Sequence, residues 1–101
     1  NFKELCDGPR SAKDYIEICT EFHTLFISEI PILTANKEDS ARRFIALIDE
    51  CYERKVNLIL SLEEDIESLY QGRKLIGPYR RTLSRLEEMR SREYLSKPHL
   101  G

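Results

Sequence analysis

A glycine-rich phosphate loop is missing from this chain. Gly8, Gly72, Gly77 and Gly101 stand apart, and none heads a GxxxxGK[ST] pattern. Such a loop lets backbone amides close around a triphosphate, so these residues cannot hold one by that mechanism. Long apolar runs are also missing: none approaches the roughly 20 residues that a membrane span requires. Cysteine is sparse and odd in number, at Cys6, Cys19 and Cys51, with no CxxC pair. That spacing supports neither a zinc site nor a disulfide framework, and points to buried thiols in a reducing, intracellular setting. No signal peptide is legible; a chain that begins at Asn1 leaves an upstream segment open. No low-complexity linker divides the residues and no internal duplication is visible.

What is present fits a soluble globular protein. Hydrophobic residues make up 41% and charged residues 34% of the chain, on the charged side of average. Residues 1–101 are one domain or part of one, long enough to bury roughly 60–70% of the unfolded surface. The net charge of −2 conceals an asymmetry: residues 1–72 carry −7 and residues 73–101 carry +5. The basic tail can face the chain's own acidic body, another subunit or a polyanion. Nucleic acid ranks last, because the tail has few aromatics placed to stack on bases.

Apolar spacing sets the expected elements. Phe2–Cys6 reads weakly as the end of a strand, and Asp7-Gly8-Pro9 as a turn. Ser11 with Asp14 three residues on signals a helix start. Tyr15, Ile16, Cys19 and Phe22 then recur at helical spacing, giving helix A over about 11–22. Thr24 to Ile30 is strand-like, and its unalternating Leu25-Phe26-Ile27 run predicts burial on both faces, as in a parallel sheet. Pro31 stops it. Helix B follows over about 37–55, with Asn36 as N-cap and a broad stripe of Ala41, Phe44, Ile45, Ile48, Cys51 and Tyr52. Val56 to Leu62 is the second central strand. Asp65–Tyr70 is a short helical turn with Gly72 as its C-cap. Helix C opens at Gly77-Pro78 and runs over about 78–97. The expectation is an α/β fold: a small three-layer β-α-β-α-β-α unit with a mostly parallel sheet of about three strands, resembling a P-loop NTPase without the P-loop.

Polar groups where parallel strands stop are where ligand chemistry sits in open α/β sheets. Glu29 is such a residue: it orients water or magnesium, or it is a solvated strand-end glutamate. Ser61 ends the second strand and either senses a γ-phosphate or bonds backbone. Arg42 and Arg43 suit phosphate contact across a subunit boundary, yet Glu38 and Asp39 precede them at the favourable i,i+4 spacing. Arg81, Arg85 and Arg92 form a basic strip along helix C, with Glu88 in reach of Arg85 and Arg92. Cys19 and His23 are four apart where helix A ends, which argues against a shared face. His99 is assigned no role.

Ala41-Arg42-Arg43-Phe44-Ile45-Ala46-Leu47-Ile48-Asp49 resembles the ARRFIxLID signature of the ZapE-like (AFG-one-like) AAA+ ATPase family. Further blocks follow in order: Asp14-Tyr15, Phe22-His23-Thr24-Leu25-Phe26, Leu69-Tyr70-Gln71-Gly72, Arg81-Thr82-Leu83-Ser84-Arg85-Leu86, Glu88-Met89 and Glu93-Tyr94-Leu95. The resemblance spans nearly the whole chain. It implies the C-terminal part of an ATP hydrolase that uses ATP and magnesium, with phosphate loop, Walker B acids and first sensor strand upstream. No cofactor is then expected on this segment itself. The implied partners are the upstream ATPase domain, the FtsZ division ring and further copies of the chain. The implied location is the bacterial cytoplasm, or the mitochondrion for a eukaryotic chain. Arg85 matches the family's SRL arginine, Arg42 and Arg43 match the ARRF pair, and Glu29 matches a strand-end acid only loosely. Ser28 stands where the magnesium-binding Asp is usual. A protein-interaction module that binds a division or quality-control partner without nucleotide contact is the other reading, motivated by the basic helix C and the charge asymmetry.

Overall fold

The computed structural model describes residues 2–6 and 11–89. Five helices and two strands follow one another: α1 (Phe2–Cys6), α2 (Ala12–Glu21), β1 (Thr24–Ile30), a 3-10 turn (Ala35–Lys37), α3 (Glu38–Glu53), β2 (Asn57–Leu62), α4 (Ile66–Leu69) and α5 (Ile76–Met89). The fold is α/β, and β1 pairs with β2 in parallel.

The sheet has two strands among the described residues, because the expected first strand is helix α1. Phe2 and Cys6 lie four apart, on one face of a helical turn, and both are buried. Lys3 and Glu4 are exposed. A five-residue window carries too few positions to separate period 2 from period 3.6.

Local chemistry fixes several ends. The Asp14 carboxylate accepts the Ser11 backbone N–H at 2.9 Å, one half of the expected capping arrangement at the start of α2. At the other end of α3, Lys55 takes a left-handed φ of 59°. The N–H of Val56 reaches the carbonyl of Cys51 at 3.0 Å, and that of Lys55 reaches Tyr52 at 3.4 Å. This is the Schellman closure, with lysine in the place glycine usually takes. The expected Asn36 cap is not what starts α3: Ala35–Lys37 form the 3-10 turn and Lys37 is the capping residue. The last stretch of the expected helix C, 90–97, lies outside the described residues. Its start is two residues earlier than expected, at Ile76.

α3 is the central element. Ala41, Phe44, Ile45, Leu47, Ile48 and Cys51 on it are buried, against Phe2 and Cys6 of α1, Tyr15 and Cys19 of α2, and Ile27 and Ile30 of β1. The expectation of burial on both sheet faces fails. Phe26 is 57% exposed and its cross-strand neighbour Ile59 is 51% exposed. Leu25, Ile27, Leu58 and Leu60 alternate with them and face the core. The described residues thus supply cover for one side of a sheet whose composition suits two.

Candidate functional site

The strands stop irregularly. Ile27 lies opposite Leu60 and Ile30 opposite Leu62, so Ser28 and Glu29 together oppose Ser61. The extra residue is a β-bulge, and Glu29 carries it with a left-handed φ of 58°. For a non-glycine residue that conformation costs about 1 kcal/mol. Bulges of this kind re-aim side chains at sheet edges. The ends are stitched beyond the bulge: Glu63 N–H donates to the Ile30 carbonyl at 2.9 Å, and the Glu63 carboxylate accepts Ile32 N–H at 3.0 Å.

Glu29, Ile30, Pro31, Ser61, Leu62 and Glu63 line a shallow cleft of about 280 Å³ at this edge. The structure therefore brings the two strand-end residues Glu29 and Ser61 to one place. The lining has two carboxylates and no base. Such a cleft favours water or a cation, and a phosphate approaching it would need positive charge from outside the lining. Among the described residues no group of three or more His, Cys, Asp or Glu is placed to hold a metal ion.

The arginines lie elsewhere. Arg85 on α5 pairs with Asp49 on α3, and its guanidinium sits 5.1 Å from the centre of the Tyr52 ring. Tyr52 in turn donates its hydroxyl to Glu88 at 2.6 Å, which raises the tyrosine's pKa. Residues 49 and 52 of α3 thus meet 85 and 88 of α5 in the same chain direction, so the two helices run alongside in parallel sense. Arg43 is half-buried and donates to the Cys6 carbonyl at 3.3 Å, tying α3 to α1. Arg42 and Arg81 are exposed. Arg92 lies outside the described residues. Cys19 faces Cys51 on α3, sulfur to sulfur.

Glu38 was expected to pair with Arg42, and its carboxylate is instead taken by the loop before α5. It accepts the Tyr70 hydroxyl at 2.6 Å and the Lys74 backbone N–H at 2.8 Å. The Tyr70 oxygen also accepts Leu75 N–H at 2.8 Å. The Tyr70 hydroxyl, then the backbone amides, hold the Glu38 pKa below its ordinary 4.5. Gly72 lies directly against this cluster: a β-carbon there would stand 2.0 Å from a Glu38 carboxylate oxygen. It is therefore a close-approach glycine, while the cap of α4 is Tyr70. Tyr70 stacks on Tyr79 with ring centres 5.2 Å apart. The Tyr79 hydroxyl donates to the Ile66 carbonyl at 2.8 Å, and burial pushes its pKa up. Sequence reading missed this cluster because its partners are 32 to 36 residues apart.

The comparisons with known proteins agree with one another. A family model described as "AFG1-like ATPase" matches residues 1–98. "Cell division protein ZapE" of Escherichia coli K12 is 47% identical over 101 residues, which are 100% of this chain and 27% of that protein. "Lactation elevated protein 1 homolog B" of Danio rerio is 34% identical over 97 residues, covering 96% of this chain and 19% of that protein. The chain thus spans about a fifth to a quarter of the length of these curated relatives. No solved structure matches it.

Proposed function

The chain belongs to the AFG1-like ATPase family, and from that premise we propose that it is the C-terminal part of an AAA+ ATP hydrolase acting in cell division. ATP and magnesium bind the remainder of that protein, which acts in the cytoplasm on the FtsZ division ring. This segment supplies framework, an arginine-bearing helix pair and a sheet edge that completes a site built largely elsewhere. Similarity over the full chain to a protein named for cell division supports the reading. So does the open sheet face at Phe26 and Ile59, which a larger α/β body would cover. No helix among the described residues is long and apolar enough to cross a membrane.

One observation carries the role given to the arginines. Asp49 ends the ARRFIALID block and Arg85 lies in the RTLSRL block, and the structure joins them. Arg85 is a clamp between α3 and α5. Of the arginines singled out from the sequence and described in the structure, Arg42 and Arg81 are exposed, and they face nucleotide or a neighbouring subunit. The Arg85–Asp49 pair is partly exposed, at 32% and 40%, so it contributes at most about 1 kcal/mol; the stacking on Tyr52 adds about 0.5–1 kcal/mol.

Charge reversal separates the roles. In the full-length protein, Arg81→Glu and Arg42→Glu are expected to lower ATP turnover about tenfold or more, with the thermal midpoint unchanged. Arg85→Ala is expected to lower the midpoint by several degrees, and a double-mutant cycle with Asp49→Ala shows coupling. Normal turnover with lost FtsZ capture in the Arg81 and Arg42 variants would favour the interaction-module reading. Normal turnover and normal capture would refute both.

A further inference from the structure

Three thiols are buried in this small core, and two of them touch. Cys19 on α2 and Cys51 on α3 are each completely buried, with their sulfurs 3.4 Å apart. Cys6 on α1 is the third. We propose that Cys19 and Cys51 are a redox couple that closes into a disulfide between α2 and α3 when a hydroperoxide reaches them. This inference is independent of the ATPase reading.

Geometry supports closure. A disulfide needs the sulfurs roughly 2.0 Å apart, so they must approach by about 1.4 Å, within reach of side-chain rotation and a small helix shift. The two thiols share one hydrogen bond, which favours ionisation of Cys19 and opposes that of Cys51. Cys19 lies on the outer helix α2, where a peroxide arrives first, and so is the attacking sulfur; Cys51 on the central α3 is the resolving one. Access comes from α2. It buries only Tyr15 and Cys19, one turn apart, and exposes Ala12, Lys13, Glu17, Thr20 and Glu21. An outer helix held on one side opens more readily than the core it covers.

The chemistry balances. The Cys19 thiolate attacks one peroxide oxygen; the S–O bond forms, the O–O bond breaks and hydroxide leaves with the proton lost from Cys19 as water. The Cys51 sulfur then attacks the sulfenic sulfur, the S–S bond forms and a second water departs. Two thiols are oxidised by two electrons and one peroxide is reduced. The new bond closes the chain from Cys19 to Cys51, across β1, its bulge and most of α3, and prevents α2 from lifting.

The test treats the folded chain with hydrogen peroxide and maps its peptides without reduction. The expected results are a mass loss of two hydrogens, a linked peptide joining Cys19 to Cys51, reversal by dithiothreitol and a thermal midpoint raised by roughly 10 °C. Cys6→Ser should behave as wild type, while Cys51→Ser or, if that variant is poorly folded, Cys51→Ala should show no midpoint rise. A bond involving Cys6, or thiols that stay reduced in the folded chain while oxidising in urea, would overturn the proposal.

Discussion

Replacing Phe44 with alanine is expected to cost about 3–5 kcal/mol. Phe44 is completely buried at the middle of α3. Its ring lies 5.9 Å from that of Phe2, tilted by 49°. It therefore holds α1 against α3 while α3 organises α2 and α5. Small domains have only about 5–15 kcal/mol in total, so a large unfolded fraction follows. Urea denaturation followed by circular dichroism measures it. Phe44→Leu should recover most of the loss, leaving under about 1.5 kcal/mol. A cost below about 1 kcal/mol for the alanine variant would mean that α3 is not the organising helix.

Substituting Gly72 with alanine is expected to lower the thermal midpoint by roughly 5–10 °C. The new methyl would meet a Glu38 carboxylate oxygen at 2.0 Å and the Tyr70 hydroxyl oxygen at 2.7 Å. Glu38 cannot swing aside without losing the Tyr70 hydroxyl and the Lys74 amide. The same cluster makes a pH prediction. The folded pKa of Glu38 lies below its ordinary 4.5. Its stabilising contribution is therefore fully present above that ordinary value and lost as pH falls through the folded one. Glu38→Gln should flatten the acid side of the stability curve below about pH 4.5, and Gly72→Ala should flatten it in the same way. Unchanged acid dependence in either variant would show that Glu38 does not hold the loop. Thermal melts in steps from about pH 6 to about pH 3 read both effects.

These clusters show which parts of the molecule a sequence exposes. The stripe from Ala41 to Cys51 gave α3 directly, because a long amphipathic repeat leaves one solution. The strands at Thr24–Ile30 and Asn57–Leu62 were legible for the same reason, as runs of β-branched and leucine residues between breakers. The helix at Phe2–Cys6 was not, since five residues fit either period. Glu29 and Ser61 were singled out by their place at strand ends, and the structure sets them on one cleft. The bulge that does so depends on register between strands, which no local pattern encodes. The partner of Arg85 was equally hidden. Asp49 lies 36 residues away, and only the packing of α5 along α3 makes them neighbours. Exposure of Phe26 was misread because its apolar neighbours signal a two-sided sheet, whereas the described residues cover one side.

The central claim is that this segment frames a nucleotide site without holding nucleotide itself. Calorimetric titration of magnesium–ATP into the 101-residue chain, with its fold first checked by circular dichroism, tests that claim directly. The account predicts no saturable heat up to millimolar nucleotide. Binding with micromolar Kd would contradict it, and would place a phosphate-binding site on residues that carry no phosphate loop.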